Sequence, residues 1–171
     1  SIVLNDHSGF YKPISADAHT KYGYNVHCAV IDELHAQPNR ELVDTILTAT
    51  GSRSQPLIIH ITTADYDRPS ICNEKLKYAK AVRDGVFEDH SFLPVIYEAE
   101  QDEDWRDREV WKRVNPNFGI SLKEEYLERE FKRALESPEY ENTFKRLHLN
   151  MRTEQAVRWI SLERWDSCKD V

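Results

Sequence analysis

Glycine is scarce in this sequence. The 171 residues include five, at positions 9, 23, 51, 85 and 119, and none is followed by lysine. A loop that cradles phosphates needs Gly-x-x-x-x-Gly-Lys-Ser/Thr, because only glycine lets backbone amides approach the phosphates while the lysine neutralises them. These residues contain no such loop. Cysteine is scarcer: Cys28, Cys72 and Cys168 are odd in number, far apart, and form no Cys-x-x-Cys pair. That spacing argues against a disulfide framework and a zinc site, and reduced thiols are expected. There is no run of 18 apolar residues and no basic-then-apolar amino terminus. Neither a membrane span nor a secretory signal is expected, so the chain reads as soluble and intracellular. Internal repeats and low-complexity tracts are also missing.

Positive charge is in deficit, 23 Lys and Arg against 30 Asp and Glu, for a formal net charge of −7. Such a surface does not attract phosphates generally, so contact with nucleic acid requires a local basic face or parts of the protein outside these residues. The densest run, Glu98 to Glu109, sets seven acids against Arg106 and Arg108. It is expected to be a solvated connector between two packed units. With 40% hydrophobic residues, the length suffices for one ordinary core and at most a small appended subdomain.

What is present is organised around Val26 to His35. Val26 to Ile31 is dominated by small and β-branched apolar side chains and predicts a strand buried on both faces, as in a parallel sheet covered by helices. Asp32 and Glu33 end it, where an open α/β sheet places its chemistry. In a nucleotide-hydrolysing P-loop fold this is the Walker B pattern: the first acid holds magnesium through its water shell, and a following glutamate orients and deprotonates the attacking water. The same residues are equally compatible with a strand that ends in a solvated acidic turn.

Downstream, Leu42, Val43, Ile46 and Leu47 recur at helical spacing after Pro38-Asn39, and Gly51 supplies a stop. Leu57 to Ile61 predicts a second strand, so strand, helix and strand form a βαβ unit with parallel strands and a right-handed crossover. Thr62 and Thr63 then place two hydroxyls at the same sheet edge as Asp32 and Glu33. There they can hydrogen-bond a terminal phosphate or the attacking water and report hydrolysis to the next loop; alternatively, threonines simply end strands well. Arg53, in the loop before this strand, is either an arginine finger for a neighbouring subunit or an ordinary surface residue. His27, Asp32 and His35 invite a metal-site reading, but alternating side-chain direction separates His27 from Asp32. A histidine following such an acid is more often a local hydrogen-bonder.

Pro69-Ser70 opens a helix through Cys72, Leu76, Ala79 and Val82 to Gly85. Phe92 to Tyr97 predicts a third strand, irregular or at an edge because of Pro94. From Asp102 the pattern is mainly helical. It comprises a short segment around Trp111, a helix from 121 to 136 capped by Ser121 with Glu124 three residues on, one from Pro138 through Leu147, and a last one with Trp159, Ile160 and Trp165. Leu122, Tyr126, Leu127, Phe131, Ala134 and Leu135 form one apolar stripe, with Glu125–Arg129 and Glu128–Lys132 pairs outside it. The four tryptophans are expected to pack helices rather than stack on bases.

Six motifs in order resemble the large subunit of tailed-bacteriophage terminases over about residues 14 to 168. They are Val-Ile-Asp-Glu-Leu-His (30 to 35), Arg-Ser-Gln-Pro-Leu (53 to 57), Ile-Thr-Thr-Ala (61 to 64), Ile-Tyr-Glu (96 to 98), Trp-Lys-Arg-Val-Asn-Pro-Asn-Phe-Gly (111 to 119) and Leu-Asn (149 to 150). The resemblance implies an ATP-driven DNA-packaging motor, with an amino-terminal ATPase joined by a helical linker to a carboxy-terminal nuclease. The implied fold is α/β, a partial P-loop NTPase sheet of the RecA-like (ASCE) kind followed by a helical linker subdomain. The ATPase part is expected in residues 1–100 and the linker in 101–171. Asp32 resembles the Walker B acid for Mg2+, Glu33 the catalytic carboxylate, and Thr62 and Thr63 the coupling motif. Asp65 stands where such families often have glycine, and Met151 where an aromatic residue is common.

Without a phosphate loop or a nuclease acidic cluster, these residues are expected to be a middle fragment, inactive alone towards ATP. The implied partners are the Walker A half and nuclease domain of the same protein, double-stranded DNA, a small terminase subunit, a portal and a homo-oligomeric ring in the bacterial host cytoplasm, with no membrane. Two other readings compete. One is a helicase fragment, since Asp32-Glu33-Leu34-His35 also fits Asp-Glu-x-His. The other is a non-enzymatic interaction domain.

Overall fold

The computed structural model describes residues 2–4, 9–15 and 23–154. The expected final helix around Trp159 and Trp165 and the thiol of Cys168 lie outside the described residues. The chain divides into two compact units. One takes residues 1–31 and 37–60, the other 32–36 and 61–171.

The first unit contains a short antiparallel hairpin, β1 (Ile2–Leu4) with β2 (Gly9–Tyr11), in the register Ile2 to Tyr11 and Leu4 to Gly9. Three-residue strands give too short an alternation to stand out in the sequence. β3 (Cys28–Ile31) pairs in parallel with β4 (Leu57–His60), Cys28 opposite Leu57 and Ile31 opposite His60. Between them runs α1 (Glu41–Thr48), which buries Leu42, Val43, Thr45 and Ile46, with the Asn39 side chain accepting the Glu41 amide at 3.0 Å. The predicted βαβ unit is therefore present.

One expectation fails here. β3 is not buried on both faces: Cys28 and Val30 are exposed, as are Leu57 and Ile59 on β4. Two paired strands with one helix among the described residues of the unit have too little chain to cover both faces.

The second unit begins with the 3-10 turn Leu34–Ala36 and the segment that follows β4. α2 (Ile71–Arg83) starts as predicted: Ser70 accepts the Asn73 amide at 3.1 Å, and Gly85 follows the end with φ of 70°. The predicted third strand at 92–97 does not form. The segment has no regular secondary structure; it alternates between exposed Leu93, Val95 and Tyr97 and half-buried Phe92 and Ile96, but joins no ladder among the described residues. Asn150 Nδ2 donates to the Tyr97 carbonyl at 2.9 Å, and the Ala99 amide donates to Leu149 O at 2.9 Å.

The acidic run is solvated only in part: Glu100, Asp102, Asp104, Asp107 and Glu109 are exposed, but its start is not. Glu98 is buried and lies 2.7 Å from Lys80 Nζ, and Arg113 pairs with Glu103. Ala99 and Trp105 enter the core. That core is built by α3 (Arg108–Val114), α4 (Glu124–Glu136) and α5 (Pro138–Leu149). Trp105, Trp111, Phe131 and Phe144 meet at ring-centroid distances of 4.8 to 5.9 Å, mostly edge to face, the arrangement favoured by aromatic quadrupoles. The Trp111 indole N–H donates to Trp105 O at 2.7 Å, which satisfies a buried donor.

Two details of α4 differ from expectation. Ser121 does not cap it; the helix starts from Lys123, because the backbone of 117–122 closes a tight loop in which Leu122 bonds Asn117 and Gly119. Glu128 pairs with Arg108 at 3.1 Å, and Tyr126 and Leu135 stand exposed at the rim of the stripe. No helix among the described residues is long and apolar enough to cross a membrane.

Candidate functional site

The predicted site residues other than Arg53 and His27 all fall in the second unit, in two segments that follow the parallel strands. Asp32 comes directly after β3 and is exposed; its Oδ1 accepts the Glu33 amide at 2.9 Å. Glu33 takes φ of 51°, a left-handed conformation that is rare for a residue with a long side chain. The turn enforces it: the Ala36 amide donates to Glu33 O at 2.8 Å, and the Leu34 amide to Ile61 O at 3.2 Å. Non-glycine residues held in this region cost about 1–3 kcal/mol and cluster at functional sites.

His35 gathers the rest. Its amide donates to Thr62 Oγ1 at 3.0 Å. Its Nδ1 stands 3.2 Å from Glu33 Oε2, 3.1 Å from Thr62 Oγ1 and 3.3 Å from Thr63 Oγ1. The Thr62 hydroxyl also donates to Thr63 O at 2.8 Å and lies 3.7 Å from the thiol of Cys72, whose pKa burial pushes up. Glu33, Thr62 and Thr63 are thus brought together around one imidazole nitrogen. Glu33 keeps a side chain 58% exposed, open enough to reach a water or ligand.

The expected departure at Asp65 acquires a role. Its carboxylate is 1% exposed and accepts the Tyr66 amide at 2.9 Å, Arg68 Nε at 3.0 Å and Ser70 Oγ at 2.9 Å. Arg68 Nη2 reaches the His35 carbonyl at 2.8 Å, and the hydrogen bond to Asp65 raises the guanidinium pKa above its ordinary value. The three-residue spacing of Asp65 and Arg68 was the available signal for this pair; sequence reasoning missed it because the target of Arg68 lies 33 residues away.

Arg53 and His27 belong to the first unit, where Arg53 Nη2 donates to Asn25 O at 3.0 Å and His27 O accepts the Leu57 amide. For a hydrated magnesium ion the exposed Asp32 carboxylate is a suitable hard oxygen donor. Neither 32–36 nor 61–70 contains glycine or lysine, so a Gly-Lys phosphate loop is not among these segments.

Comparison with known proteins gives a consistent picture. Residues 1–81 match a family model described as the terminase large subunit, ATPase domain, and residues 86–170 one described as the terminase large subunit, endonuclease domain. The chain is 34% identical over 148 residues to Protein YmfN of Escherichia coli K12, covering 86% of this chain and 32% of that protein. It is 31% identical over 163 residues to the terminase large subunit of Enterobacteria phage HK97, covering 94% and 31%. The crystal structure of the HK97 large terminase superposes with a TM-score of 0.65 at 29% identity, covering 86% of this chain and 30% of that one. The chain spans about a third of the length of these relatives.

Proposed function

Since this chain belongs to the terminase large-subunit family, we propose that it forms part of an ATP-driven motor that packages double-stranded DNA into a procapsid in the bacterial host cytoplasm. Asp32 is the acid for hydrated Mg2+. Glu33 orients the attacking water and takes its proton. Thr62 and Thr63 carry the state of the site into the following loop. The observation that supports these roles is the convergence of Glu33, Thr62 and Thr63 on His35 Nδ1.

Bound magnesium-ATP supplies the electrophilic phosphorus and the charge neutralisation. The contribution of these residues is positioning, which dominates phosphoryl-transfer catalysis. The parallel β3–β4 pair is consistent with a RecA-like P-loop order, completed by a Walker A half elsewhere in the full-length protein. Alone, the 171 residues turn over no ATP. The helical part from 101 onward, which lies within the stretch that matches the endonuclease-domain model, serves as the lead from the ATPase into the nuclease, and the remaining partners are the small subunit, the portal and further copies in a ring. Arg53, whose Nη2 donates to Asn25 O, is the candidate finger towards a neighbouring copy.

The test is steady-state ATP turnover of the full-length protein as Mg2+ is titrated. Asp32→Asn raises the Mg2+ needed for half-maximal turnover, and Glu33→Gln lowers the plateau by about a hundredfold or more. Wild-type titration curves for both variants would remove the two acids from the chemistry.

A further inference from the structure

Loop 65–70 is tied to three places at once. Through Arg68 Nη2 it holds the carbonyl of His35, within the turn that bears Glu33. Through Asp65 it holds Ser70, the cap of α2. Through Tyr66 and Asp67 it holds the segment that leaves α5: Tyr66 bridges Thr153, the Asp67 amide donates to Thr153 O at 2.7 Å, and Asp67 pairs with Arg152.

The chemistry of the pair explains its form. A carboxylate as buried as Asp65 is tolerated only when paired and hydrogen-bonded, and both its oxygens are taken. Its neutralising partner is a planar fork that bonds in two directions at fixed angles, which a lysine does not do. Arg68 therefore cannot move relative to Asp65 without releasing His35.

We propose that Arg68, fixed by Asp65, is a positioning residue that clamps the turn 32–36 and so sets the placement of the Glu33 carboxylate, making that placement follow loop 65–70 and the segment after α5. The proposal rests on the assignment of Glu33 as the hydrolytic carboxylate. Arg68 touches no reacting group and acts through the His35 carbonyl.

The test uses the full-length protein with Arg68→Lys, which keeps a positive charge for Asp65, and Arg68→Ala. ATP turnover and amide hydrogen exchange are measured together. Both variants are expected to lower kcat by about tenfold to a hundredfold, the scale of a small misplacement, with KM within about twofold. The amides of Leu34, His35 and Ala36 should exchange at least about fivefold faster, while those of Phe144 and Leu149 keep their protection. A wild-type kcat for Arg68→Lys, unchanged exchange at 34–36, a raised KM with unchanged kcat, or lost protection throughout α4 and α5 would each overturn it. Glu33→Gln in the same assay separates the two ideas. If it turns over normally, the role of Glu33 fails, and the exchange rates still decide whether Arg68 clamps the turn.

Discussion

His35 Nδ1 lies 3.1 Å from Thr62 Oγ1, a contact between residues 27 apart in sequence that joins the acidic turn to the threonine pair. The same nitrogen stands 3.2 Å from Glu33 Oε2. One ring nitrogen offers at most one proton, so it donates to one of these oxygens at a time or accepts from a hydroxyl. A change in what Glu33 binds therefore changes what His35 offers to Thr62 and Thr63.

His35→Ala in the full-length protein should lower kcat about fivefold to tenfold with little change in KM. The loss of one hydrogen bond is worth about 1 kcal/mol, and the turn keeps its backbone bonds to Ile61 and Glu33. His35→Asn, which keeps a donor and an acceptor, should recover part of the loss. Steady-state kinetics on the two variants checks this.

Trp111→Ala should destabilise the helical core by about 3–5 kcal/mol, the range for truncating a buried aromatic residue. Trp111 is 2% exposed and packs on Phe131 and Phe144. Trp111→Phe keeps a ring and mainly loses the bond to Trp105 O, so its cost should be markedly smaller. Chemical denaturation of the chain measures both.

The stability of the same core should fall on mild acidification. Burial among Phe144 and Tyr126 holds the His148 pKa below its ordinary value. The unfolded chain thus binds a proton that the folded chain refuses, and stability rises with pH across that window. It is fully present above about pH 6.5 and is lost as pH falls towards the folded pKa. His148→Leu should flatten this part of the profile. Glu130, held below the usual carboxylate range by the Tyr140 hydroxyl, loses its contribution only at lower pH, as acid protonates it. Unfolding free energies of both chains between pH 8 and pH 5 give the comparison.

Much of the βαβ unit and of α2 was legible because their signals are local: apolar periodicity, a Ser70 cap, and glycines after the helix ends. The failures share a different cause. Phe92 to Tyr97 has the composition of a strand, but a strand exists only with a partner, and composition does not name one. Glu98 and Glu103 looked solvated because Lys80 and Arg113, which draw them in, are distant or on another element. Within the site, the acids and threonines were visible as residue types. Their meeting at His35 and the hold of Arg68 on its carbonyl depend on chain reversals that no spacing records.

The central claim is that Glu33 activates the water that cleaves ATP. A single-turnover experiment tests it most directly: full-length protein in excess is mixed with labelled ATP and Mg2+, quenched over time, and the cleaved fraction counted. Glu33→Gln should bind the nucleotide as the parent does yet cleave it with a half-time about a hundredfold longer or more. Cleavage by Glu33→Gln at the parental rate would contradict the account.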